Sequence, residues 1–153
     1  ALSPGEVDTV VIAGMGGDLM VHILSAAPWT RDVKLILQPM STQEVLRQWL
    51  TEHGYAILWE GIAREGEKFY PLFTATGGQS PRYSPGELWA GRQQQGEDNP
   101  HRLAYLTEQI RRRQRALEGM AQSSHPDPAQ LDRERTLQND LQRMREEWIQ
   151  WQR

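Results

Sequence analysis

Asp8-Thr-Val-Val-Ile-Ala-Gly-Met-Gly-Gly17 is the stretch whose reading decides the fold. Val10, Val11 and Ile12 form a continuous apolar run, the pattern of a parallel strand covered on both faces. Gly14, Gly16 and Gly17 end it in a turn where bare main chain can approach another molecule closely. An apolar strand delivering a glycine turn predicts a nucleotide-binding type of α/β fold.

The pattern repeats downstream. Residues 18–27 place Leu19, Met20, Ile23 and Leu24 at helical spacing, and Pro28 ends the helix. Lys34-Leu-Ile-Leu-Gln-Pro39 reads as a second buried strand ending in a turn, and Ser41-Thr-Gln-Glu44 has the spacing of a capping box. The helix it opens carries Val45, Leu46, Trp49 and Leu50 on one face and stops at Gly54. Residues 55–63 and 69–75 are extended runs flanking a charged turn around Gly66, hence an antiparallel hairpin. The order strand, helix, strand, helix, strand, strand predicts a right-handed parallel sheet covered by helices, with an antiparallel addition at its edge.

A different kind of sequence follows. Residues 79–98 read as a linker, rich at their start in Gly, Ser and Pro. Asn99-Pro100 and Asp127-Pro128 each pair a capping residue with a proline at the first helical position, so residues 99–153 are expected to form an antiparallel helical hairpin turned at Ser123-Ser-His-Pro126. The first helix has Leu103, Leu106, Ile110, Leu117 and Met120 on a 3,4 pattern broken by Arg113; the second has Leu137, Leu141, Met144, Trp148 and Trp151. Each arm should measure on the order of 30 to 35 Å, and so thin a pair needs further packing on its apolar stripe.

Charge divides the chain the same way. Residues 1–78 hold 5 Lys+Arg against 9 Asp+Glu, while the remainder holds 12 against 11, every base an arginine. A nucleic-acid partner would therefore be met by a local patch rather than by net charge, which is −3. Zero cysteines exclude disulfides, thiolate metal sites and cysteine nucleophiles, and fit a cytoplasmic protein. No apolar run reaches the roughly 20 residues that cross a bilayer, and the start at Ala1 rather than Met reads as a fragment or processed product.

Ligands of open α/β sheets bind beyond the carboxyl ends of the strands, which selects Ala13, Gly14, Met15, Gly16 and Gly17 with Gln38 and Pro39 as candidate site residues. Main chain at the glycines could bond a ligand edge, Met15 could pack on a ring, and Gln38 offers an amide. The competing reading is a tight strand-to-helix turn with Gln38 merely ending a strand. Other motifs fail. A dinucleotide fingerprint needs glycine where Leu19 stands, and a phosphate loop over 61–68 is broken at Glu67 and by Phe69 after the lysine. His22, His53, His101 and His125 lack metal-ligand spacing, so no metal is expected. Glu65, Glu67 and Lys68 read as a solvated turn and Tyr70 as an inward strand residue. Arg111, Arg112, Arg113 and Arg115, facing Arg133, Arg135, Arg143 and Arg145, could contact RNA phosphates, or could pair with the interleaved acids on a wet helical surface.

Taken together in order, Ile12-Ala-Gly-Met-Gly-Gly17, Leu35-Ile-Leu-Gln-Pro39, Leu46-Arg-Gln-Trp-Leu50, Gly54-Tyr55 and Glu65-Gly-Glu-Lys-Phe-Tyr70 resemble the bacterial tRNA (adenine-22-N1)-methyltransferase family, over residues 8 to 78. The glycine turn followed by Leu-Gln-Pro is the specific part of the match. The resemblance implies an α/β fold: the second half of a Rossmann-like class I methyltransferase sheet over residues 1–78, followed by the helical, coiled-coil-like domain. It also implies S-adenosylmethionine (SAM) as cofactor, tRNA as partner, no membrane, and the arginines of the helical domain as RNA contacts. A family member further carries an upstream glycine motif for SAM, which these 153 residues do not contain. The alternatives are a non-catalytic RNA- or protein-binding module and a methyltransferase acting on another base; a homo-oligomer is left open.

Overall fold

The computed structural model describes residues 2–153. They divide into two compact units, one ending at Tyr83 and the other beginning at Ser84.

In the first unit, β1 (Thr9–Gly16), α1 (Gly17–Ser25), β2 (Lys34–Ser41), α2 (Gln43–Glu52), β3 (Tyr55–Glu65) and β4 (Lys68–Gly77) follow in the expected order, with a 3-10 turn at Pro28–Asp32. The sheet order is β1-β2-β4-β3. β1 and β2 run parallel, while β4 lies antiparallel to both β2 and β3. The hairpin thus joins the sheet through its second strand, which puts β3 rather than β4 at the edge. Gly66 takes φ 58° in the two-residue turn between them, a conformation that glycine adopts without steric cost.

Ile12, Leu35, Leu37, Phe73, Ala75 and Tyr55 bury one face of the sheet with Met20, Leu24, Leu46 and Leu50 of the two helices. The expectation that β1 is covered on both faces is corrected: Val11 is 64% exposed between half-buried Val10 and buried Ile12. The apolar run is continuous, but burial alternates because successive side chains point to opposite faces and, among the described residues, helices cover one of them. The Ser41 capping box does not form either. Thr42 becomes the N-cap of α2 at φ 48°, with no side-chain cap. Under the helix, buried Arg47 meets Glu60 at 2.7 Å and lies over the Phe73 ring at 5.1 Å.

The second unit contains a helix that composition concealed. α3 (Pro85–Ala90) stands inside the segment expected to be linker, closed by a full capping box between Ser84 and Glu87. α4 (Arg102–Ala121) and α5 (Pro128–Trp151) form the expected hairpin. Asp127 caps α5 through Ala129 N–H, as its sequence announced. α4 starts later than Asn99-Pro100 suggests, because those residues make a preceding turn in which Arg102 N–H donates to the Asn99 carbonyl. Its buried stripe also rotates: Arg102, Tyr105, Leu106 and Gln109 turn inward while Leu103 stays 39% exposed. The cause is α3. The Arg102 guanidinium donates to the Ala90 and Gly91 carbonyls, and Arg113 stacks on Trp89 at 4.3 Å. Burial alone would push Asp140 up, but hydrogen bonds from Ser84, Arg143 and Gly86 N–H hold its carboxyl below the ordinary range. The α3–α5 contact therefore has a charged acceptor at its centre.

Candidate active site

The candidate site residues Ala13 to Gly17, Gln38 and Pro39 lie at the carboxyl ends of β1 and β2. Pairing proceeds Ile12 with Leu37 and Ala13 with Gln38, then slips so that Met15 opposes Pro39 and Gly16 opposes Ser41. The slip leaves Gly14 without a partner at φ 74°, where a side chain would be strained. That bulge turns the Gly14 N–H onto Gln38 Oε1 at 3.1 Å, and Gln38 Nε2 donates to the Pro39 carbonyl at 3.3 Å. Two residues 24 positions apart are thus brought together. Nothing lies within 4 Å of where a Cβ on Gly14 would stand. The main chain there is open on one side, and with exposed Met15 beside it leaves room for a ligand such as a SAM-type methyl donor or an adenine ring.

The other predicted residues fall into two kinds. Ala13 and Met15 are exposed beside Gly14, with Met15 at 38%. Gly17 and Pro39 are buried and serve packing: a Cβ on Gly17 would run into the Thr42 carbonyl. The glycines therefore divide the work, Gly14 giving access and Gly17 permitting the first turns of α1 and α2 to close on each other.

Sequence reasoning missed Asp18 and Thr42. Thr42 Oγ1 donates to Asp18 Oδ1 at 3.1 Å and accepts from Asp18 N–H at 3.2 Å, tying the loop after β1 to the loop after β2. An acid directly after a glycine turn was the available signal; the left-handed threonine had none.

In the second unit the arginines are heavily engaged. Glu108 accepts from Arg111 at 2.8 Å and Arg112 at 2.7 Å, and these two hydrogen bonds, Arg111 first, hold its carboxyl down at about 2. Arg113 is packed on Trp89 and paired with Glu134 at 3.3 Å. Arg115 is exposed and makes no ion pair among the described residues. Trp148 is buried and meets Trp151 edge-on at 6.2 Å, as packing residues do. Among the described residues no group of side chains could hold a metal, and no helix is long and apolar enough to cross a membrane.

A parallel pair ending in an open glycine turn, extended by an inserted antiparallel strand, is a Rossmann-like α/β arrangement, and a family model described as a methyltransferase domain matches residues 1–73. Among the proteins this chain is similar to are bacterial tRNA (adenine-22-N1)-methyltransferases. It is 40% identical over 79 residues to the tRNA (adenine(22)-N(1))-methyltransferase of Bacillus subtilis strain 168, covering 50% of this chain and 33% of that one. The crystal structure of the B. subtilis m1A22 tRNA methyltransferase TrmK superposes with a TM-score of 0.68 at 26% identity, over 98% of this chain and 65% of that one. Streptococcus pneumoniae Sp1610 in complex with S-adenosyl-L-methionine matches with a TM-score of 0.69 at 29% identity, over 89% of this chain and 61% of that one. The chain thus spans a third of the curated relative's length and under two thirds of the solved ones. The structural match extends beyond the α/β unit into the helical one, where motifs were silent.

Proposed function

We propose that this chain contributes the target-base side of a SAM-dependent methyltransferase that modifies N1 of adenine 22 in bacterial tRNA, working in the cytoplasm. The observation that carries the reading is the open Gly14 bulge tied to Gln38 at the strand ends, in a chain 40% identical over 79 residues to an enzyme of that name. When bound, SAM supplies a methyl group on a sulfonium. Adenine N1 already has a lone pair, so no strong general base is needed, and holding the ring in line is the main task. Gly14 main chain lies open to the ring, Met15 offers an apolar surface to its face, and Gln38 keeps the bulge in shape from behind. Exposed Arg111, Arg112 and Arg115 are suited to tRNA phosphates, while Arg113 holds the helical unit together.

The test is transfer of labelled methyl from SAM to bulk bacterial tRNA, by this chain and by a gene product extended upstream. Label appearing as N1-methyladenosine at position 22 is the expected result, and label on another nucleoside would move the assignment to another base. Silence from both products would overturn the enzyme reading in favour of a binding module.

A further inference from the structure

The glycine turn makes room for a carboxylate. A Cβ on Gly16 would stand 2.6 Å from Asp18 Oδ1 and 3.1 Å from Ser41 Oγ, so the Asp18 side chain folds back over the turn at the ends of β1 and β2. Thr42 holds it there through the paired hydrogen bonds, at the one non-glycine position with positive φ among the described residues. A β-branched residue in that region is strained, and such strain clusters where geometry serves function. Gln38 has its oxygen committed to Gly14 N–H and an N–H committed to Pro39. Asp18 Oδ2, in contrast, accepts no hydrogen bond among the described residues, and the residue is exposed.

We propose that Asp18 is a catalytic residue of the methyl transfer and Thr42 its positioning residue, an assignment that rests on the proposed function. In the transfer, the N1 lone pair forms the new bond to the methyl carbon, and the carbon–sulfur bond breaks with its electron pair going to sulfur. The positive charge thereby moves from the sulfonium to the adenine ring and its exocyclic amine, and no proton leaves in that step. A carboxylate accepting a hydrogen bond from the amine gains strength as that charge arrives, which is stabilisation of the transition state rather than of the substrate. Asp18 Oδ2 is the free acceptor that the turn presents.

Asp18→Asn keeps the acceptor for Thr42 and removes the charge. The expected result is a kcat for tRNA lowered by roughly 10- to 100-fold, the size of one charge-assisted hydrogen bond, with KM within about twofold. A second readout needs no turnover: the wild type binds 1-methyladenosine, cationic at neutral pH, more tightly than adenosine, and Asp18→Asn loses that preference. Thr42→Val follows Asp18→Asn, and Thr42→Ser, which keeps the hydroxyl, restores both readouts. Methylation by the wild type with an unchanged kcat in Asp18→Asn overturns the role of Asp18 and leaves the proposed function standing. Equal loss of affinity for both nucleosides makes Asp18 merely structural and overturns it too. A wild type that neither methylates tRNA nor distinguishes the nucleosides overturns both readings.

Discussion

Gly14 and Gly17 share a motif and do opposite things. Gly14 at φ 74° has open space above it, so its value lies in exposing main chain, whereas Gly17 is buried where a methyl group would strike the Thr42 carbonyl. Gly17→Ala should therefore destabilise the α/β unit by about 1 to 3 kcal/mol, the usual cost of overpacking; a urea midpoint unchanged from wild type would show that the two loops separate freely. That the glycines mattered was legible from residues 14–17 alone. Which one stands open and which is packed was not, because the distinction depends on the register slip against β2 and on a threonine 25 residues beyond Gly17. Asp18 was passed over for the same reason. On a helix wheel it is an ordinary first-turn acid, and its partner Thr42 becomes visible once both loops are placed.

At the scale of the element, helices announced their beginnings unevenly. Asp127-Pro128 opens α5 as local rules require, since the cap needs nothing outside its own turn. Asn99-Pro100 obeys the same rule on paper but forms a turn, because buried Arg102 is drawn to the end of α3 and sets where α4 starts. Ser41-Thr-Gln-Glu44 likewise loses its box to the Thr42–Asp18 contact. Within α4, Glu108 yields a prediction with a sign. Its carboxyl lies at about 2 when folded, below the ordinary 4.5, because Arg111 and then Arg112 donate to it. Its contribution to helix stability is accordingly complete above pH 4.5 and lost as pH falls from 4.5 toward 2. Circular dichroism of the wild type and of Glu108→Gln should converge across that window, and because the arginines are half exposed, added salt should shrink the difference. Parallel melting of the two at every pH would show that the arginines do not stabilise the folded helix through this acid.

At the scale of the whole molecule, the exposed edge of β1 is the feature with a consequence in solution. β1 is paired on one side among the described residues, and Val11 stands 64% exposed on the face opposite the core. Unpaired edges with apolar side chains recruit further chains, so these 153 residues produced on their own should self-associate at high concentration. Val11→Lys should lower the apparent mass in light scattering while leaving the circular dichroism spectrum intact; identical mass profiles would locate any association elsewhere.

The sequence by itself determined the class of the α/β unit, its order of strands and helices, the glycine turn of the candidate site and the family it resembles. Those features are written in local periodicity and in short motifs, which act through neighbours in the chain. Tertiary structure alone decided that β4 rather than β3 joins β2, that β1 buries one face, and that a short helix completes the second unit. It also decided that Gln38 holds Gly14 while Thr42 holds Asp18. Each of those outcomes joins residues distant in sequence through a contact whose two halves carry no local signal, and such contacts become defined when the strands pair and the loops at their ends meet.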